Sequence, residues 1–220
     1  MSYVAAGYFV SSPVPRGGYS NAALVADEVW SASDCQAPRF GCWTLAWVDE
    51  DRTTPANALG VTDLDALVAW CTAAFDAERM GWPDVFFSLE AAREARDRFA
   101  PSARLFGLAL RSDHADELLA DADDASNVGV VLALRRAAPL ADGGTPRGFD
   151  VLCWDGYGGG FHSYLCNSLE TELATLGLRS GTLGLFPNEE DAERAAAHAG
   201  LETTAAEPGL WMPWKVVEYA

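Results

Sequence analysis

With 220 residues, half of them apolar, the chain can bury a substantial core, and its 32 Asp and Glu against 15 Lys and Arg give a formal net charge of −17. A chain so poor in clustered cations argues against nucleic acid as a direct partner, and its field favours a cationic one. No run of eighteen apolar residues and no charged start followed by an apolar stretch and cleavage site is present, so a membrane span and a signal peptide are not expected and the default address is the cytoplasm.

Along the chain, "YVAAGYFVSS" (3–12) reads as a strand, 21–31 as a weak helix and "CWTLAWV" (42–48) as a second strand. After Thr62 as cap, Leu64, Leu67, Val68, Cys71 and Phe75 fall on one face of a helix over 63–79. "DVFFS" (84–88) is a strand, Ser88 caps a helix over 89–99 that Pro101 closes, and "RLFGLALR" (104–111) is a strand. A weaker helix covers 113–122, "NVGVVLALR" (127–135) reads as a strand, and "PLADGGTPRG" (139–148) as a hairpin-like loop. Strand 149–155, helix 164–176, strand 182–186, a helix over 189–199 capped by Asn188, and strand 214–219 complete the chain.

These elements recur with an offset of about 100 residues: Gly81 meets Gly181, Phe86 meets Phe186, Ser88 meets Asn188, and Ala92 and Ala95 meet Ala192 and Ala195. Strand 42–48 would then match strand 149–155. The expected fold is α+β, with two pseudo-repeated halves, 1–111 and 112–220, packed as one unit.

The stretch "WDGYGGGFHSYLCNSLETEL" (154–173) carries the densest chemistry. If Ser163 caps the helix, Cys166 is its third residue, where the dipole and free amides would favour a thiolate, and His162 stands one residue before the cap as a base. That reading gives a thiol-dependent hydrolase or acyl transferase. The competing reading makes Cys166 a small core residue beside Leu169 and Leu173, and His162 a turn residue bonded to backbone. The glycines do not complete GxGxxG, and Cys153, Asp155, His162 and Cys166 match no zinc spacing, so neither a cofactor nor a metal is expected. The five cysteines, Cys35, Cys42, Cys71, Cys153 and Cys166, read as reduced thiols, because an odd number without a CxxC pair makes no disulfide framework.

Binding has a separate basis. "LWMPW" sets Trp211 and Trp214 about Pro213, a proline that suits a sheet edge or strand entrance, and aromatic residues anchor interfaces. With Asp155, Tyr157, Gly158, Gly159, Gly160 and Phe161 of the glycine turn, these form the expected binding residues. In composition the chain is similar to the immunity proteins that neutralise interbacterial toxins, many of them acidic α+β domains. The expectation is a non-enzymatic, cytoplasmic, bacterial protein that binds a protein partner in an immunity-like or regulatory role, with oligomeric state left open.

Overall fold

The computed structural model describes residues 2–16, 22–33, 40, 57–122, 128–154 and 161–220. In chain order its elements are β1 (Tyr3–Ser11), β2 (Val14–Pro15), β3 (Glu28–Val29), α1 (Leu64–Asp76), β4 (Met80–Gly81), β5 (Val85–Phe86), α2 (Leu89–Phe99), β6 (Arg104–Arg111), α3 (Ser112–Asp121), α4 (Gly129–Arg135), β7 (Thr145–Trp154), β8 (Phe161–Ser163), α5 (Glu170–Thr175), α6 (Glu189–Ala199) and β9 (Leu210–Tyr219). The fold is thus mixed α+β, with antiparallel strand pairs, and no described helix is long and apolar enough to cross a membrane. The expected strand at 42–48 lies outside the described residues.

Two units divide the chain. The first takes Met1–Ser12, Pro38–Thr145 and Glu218–Ala220, and the second takes Pro13–Ala37 and Pro146–Val217. The sequence-based boundary at 111/112 therefore falls inside the first unit, because α3 and α4 pack against β6 and β1 of that unit.

In the first unit the strand order is β4-β5-β1-β6. Alternating and continuous apolar residues make β1 and β6 buried along most of their length, and they pair from Tyr3↔Arg111 to Ser11↔Arg104 with an irregularity between Ala5 and Gly7. Gly7 has φ +118°, and a Cβ there would lie 2.3 Å from Val85 Cγ1, so only glycine lets β5 approach. Tyr8 next to it pairs with Phe86.

The helices of this unit follow their caps. Ser88, extended at φ −140°, accepts the Ala91 amide and starts α2, whose Ala92 and Ala95 are fully buried. For α1 the cap is Asp63 rather than the expected Thr62; its carboxylate accepts the Ala66 amide at 2.9 Å. A larger departure is α4, where a strand was expected. Its run is apolar enough to be buried on nearly every side, a pattern that strand and buried helix share, and the short length did not decide between them. The loop before β7 consequently links a helix to a strand and is not a hairpin.

In the second unit the strand order is β9-β7-β8, and β2 pairs separately with β3. Of the helix expected at 21–31, the described residues 22–31 form none: β3 pairs with β2, the Arg16 guanidinium donates to the Val25 carbonyl at 2.8 Å, and Val25, Val29 and Trp30 are buried. The core gathers Val151, Tyr164, Leu165, Leu169, Leu173 and Phe186 with the small face of α6. Asn188, like Ser88, is extended at φ −140° and accepts the amide three residues on, at 2.8 Å.

Only isolated bridges form where strand 182–186 was expected, Val29↔Leu183 and Phe149↔Phe186. Leu183 and Gly184 have φ of +61° and +73°, which an extended strand cannot hold. The helix expected at 164–176 is split. Ser163 ends β8, a single turn follows, Ser168 turns left-handed at φ +54°, and α5 begins at Glu170. Gly177, at φ +76°, ends that helix as expected.

Candidate functional site

The register of β7 and β8 sets the site. Leu152 pairs with Ser163, Cys153 with His162 and Trp154 with Phe161, so alternate pairs face opposite sides of the ladder. On one side Phe161 meets the Trp154 ring edge-on at 5.9 Å and the Trp214 ring at 5.0 Å. All three rings are buried. Phe161 and Trp214, expected to meet a partner, are therefore core residues, since a side chain walled in on all sides cannot also cover a partner.

On the other side stands His162, whose Nδ1 is 3.7 Å from Oε1 of Glu207. Glu207 also holds this region through its backbone. Its amide donates to Asn167 Oδ1 at 3.0 Å, and its carbonyl accepts the Trp211 indole N–H at 2.9 Å. The Cys153 thiol lies 3.9 Å from the same carbonyl.

Cys166 occupies the turn between β8 and α5. Ser163 Oγ accepts the Leu165 amide at 3.2 Å and its carbonyl accepts the Asn167 amide, so Ser163 does open a turn as a cap would. The turn closes at the left-handed Ser168, so no helix runs through Cys166, which stands four residues before the start of α5. The expected third-position thiolate is corrected accordingly: Cys166 precedes the helix start at Glu170. The residue is partly exposed, and its sulfur lies 3.3 Å from Ser33 Oγ, a neighbour 133 residues away in sequence. Asp155, Tyr157, Gly158, Gly159 and Gly160 lie outside the described residues.

One residue of this region went unpredicted. Asp150 is 1% exposed in the middle of β7, where its Oδ2 accepts the Ser31 hydroxyl at 2.7 Å and the Ala32 amide at 3.2 Å. Among the described residues its Oδ1 has no hydrogen-bond partner. Burial pushes this carboxyl up to about 7, against the opposing effect of the Ser31 hydroxyl and the Ala32 and Val151 amides. The Ser33 amide in turn donates to Ser31 Oγ at 3.2 Å, so the segment 31–33 joins Asp150 at one end to Cys166 at the other. An aspartate in "FDVLCWD", amid apolar residues, was the available signal. Tyr164 lies nearby; burial raises its phenol above the usual range, and its hydroxyl donates to the Gly184 carbonyl at 2.5 Å.

The remaining feature is a groove of about 320 Å³ between the end of α6 and the start of β9, lined by residues 199–202, 204, 206–209 and Trp211. Trp211 is half-buried: it packs on the core of the second unit and also lines the groove. Among the described residues no three His, Cys, Asp or Glu side chains converge as metal ligands. Comparison with family models, with characterised proteins and with solved structures gives no match.

Proposed function

We propose that the protein is a non-enzymatic acidic binder of a protein partner, in an immunity-like or regulatory role in the cytoplasm, and that its second unit carries the contact. The observation that supports this most is Trp211, a partly exposed indole with its N–H already bonded to the Glu207 carbonyl, in a chain of net charge −17. Large amphipathic aromatic side chains of this kind anchor interfaces, and an acidic field draws a cationic protein toward them. The test is capture of partners from native-host lysate on immobilised protein at low and moderate salt, with reciprocal capture by any protein recovered. Recovery of none at either salt refutes the reading.

We also propose that the chain consists of two pseudo-repeated halves. The supporting geometry is paired: Gly7 and Gly148 are left-handed at φ +118° and +134°, each precedes an aromatic residue, and those residues pair with Phe86 and Phe186. Eleven-residue helices capped by Ser88 and Asn188 follow at an offset of 100. The glycine pair, 141 positions apart, sets β1 beside β7, while strand 42–48, the counterpart expected at the offset of about 100, lies outside the described residues.

The correspondence favours a second functional reading, the thiol chemistry of Cys166 and His162. Counting from the paired glycines, Asp150 stands where the first half has the fully buried Phe9. A carboxyl in a position that an apolar ring fills elsewhere is costly to stability, which is how functional groups often announce themselves. Native thiol labelling tests it: a Cys166 that reacts with an electrophile no faster than a small-molecule thiol, at every pH from 6 to 9, is no nucleophile.

A further inference from the structure

We propose, resting on the partner-binding reading above, that the groove at residues 199–211 receives an arginine or lysine side chain of the partner protein, with an adjoining apolar residue of that partner against Leu201. Chain length is the first argument. The link from α2 to β6 takes the four residues 100–103, whereas the link from α6 to β9 takes the ten residues 200–209, though the two helices are equally long and equally capped. Four residues suffice to join such a helix to such a strand. The additional six, 202–207 if counted centrally, are not demanded by the connection, and four of them, Glu202, Thr204, Ala206 and Glu207, line the groove.

Chemistry is the second argument. The groove offers the Trp211 indole, Ala206 and Pro208 as apolar surface, with Leu201 51% exposed at its edge, and Glu202 and Glu207 as exposed carboxylates. A groove lined by both apolar surface and carboxylates suits a side chain that has an apolar stem and a cationic head, and an indole in its lining adds attraction for the cation. An anionic guest would be repelled by both carboxylates, and a purely apolar one would bring no charge to Glu202 and leave Glu207 facing the His162 ring, whose Nδ1 is 3.7 Å from its Oε1. The net charge of −17 acts in the same sense over longer range.

Preorganisation is the third. The Trp211 N–H is fixed on the Glu207 carbonyl, the Glu207 amide on Asn167, and the Thr204 hydroxyl lies 3.0 Å and 2.8 Å from the carbonyls of Ala199 and Leu201. A guest entering such a groove has little of the wall to order.

The experiment is fluorescence anisotropy with a fluorescein-labelled peptide of alternating arginine and leucine, and with the same peptide carrying citrulline in place of arginine, on the full chain. The variants are Glu202→Gln/Glu207→Gln and, as a control with the same charge change on the first unit, Asp116→Asn/Glu117→Gln. The expected result is a Kd at least tenfold weaker for the groove variant, less than twofold weaker for the control, and no saturable binding of the citrulline peptide. Equal weakening by both variants, or equal binding of both peptides, overturns the proposal. Gln for Glu at exposed positions leaves the fold intact, and circular dichroism verifies it. Host-lysate capture separates the two levels. A partner retained equally by wild type and by Glu202→Gln/Glu207→Gln overturns the groove while partner binding stands; no partner captured, with the peptide results as expected, overturns partner binding and upholds the groove as a cation site.

Discussion

Replacing Asp150 by asparagine keeps the size and the acceptor for the Ser31 hydroxyl and the Ala32 amide, and removes the ability to ionise. In the folded protein this carboxyl holds its proton to about 7 against an ordinary value of 3.8, a difference of about three units. Below the ordinary value it is neutral whether folded or not, and its neutral form is fully compatible with the fold. As pH rises from about 4 to 7 the unfolded chain releases the proton while the folded chain keeps it, so stability falls, and above about 7 the loss is complete. At about 1.4 kcal/mol per unit the total is about 4 kcal/mol. The variant has its own cost, because the new amide N–H₂ faces the side on which Oδ1 finds no partner among the described residues, and that costs about 1–3 kcal/mol. That cost does not vary with pH. The stability of Asp150→Asn relative to wild type is therefore expected to rise by about 4 kcal/mol between pH 4 and pH 8, whatever its starting value. Urea unfolding of both proteins across that range, with the slope on denaturant checked for constancy, measures it. A relative stability that stays within 1 kcal/mol from pH 4 to pH 8 refutes the reasoning, because the buried carboxyl would then be no more reluctant to ionise than an exposed one.

Two further outcomes follow from the packing. At Gly148 an added Cβ would lie 2.4 Å from the Phe186 carbonyl oxygen at a φ of +134°, so Gly148→Ala should cost more than about 2 kcal/mol, and Gly7→Ala a similar amount; denaturant midpoints within experimental error of wild type would remove the equivalence of the two positions. Trp214→Ala empties a fully buried site beside Phe161 and should cost about 3–5 kcal/mol in urea unfolding, and a loss under 1 kcal/mol would contradict its place in the core.

What the sequence revealed was mostly local. Ser88 and Asn188 announced their helices because a cap acts within three residues, and β1, β6 and β9 announced themselves by length and branched content. The miss at α4 arose because "GVVLALR" is apolar throughout and so carries no period, and the miss at 164–176 because the left-handed Ser168 interrupts an otherwise helical run that side-chain pattern alone continues. Cys166 and His162 were visible as residues, but their neighbours Ser33 and Glu207 lie 133 and 45 positions away, and no local rule joins them. Asp150 was passed over because the strand pattern around it was strong enough to absorb one carboxyl. The groove escaped for a different reason: its distinguishing mark is the length of a connection, which has meaning only beside the shorter connection of the first unit.

The interleaving of the two units along the chain bears on how the protein is made. Strands β4, β5, β1 and β6 are all contained within residues 3–111, so this ladder can close while synthesis continues. Residues 13–37 have no such option, since their unit is completed only by Pro146–Val217. From residue 37 to residue 217 is 180 positions, and at a translation rate of about 5–20 residues per second that is a wait of about 10–40 seconds. Throughout it Val25, Val29 and Trp30, destined for a core not yet synthesised, stand open to water and to other nascent chains.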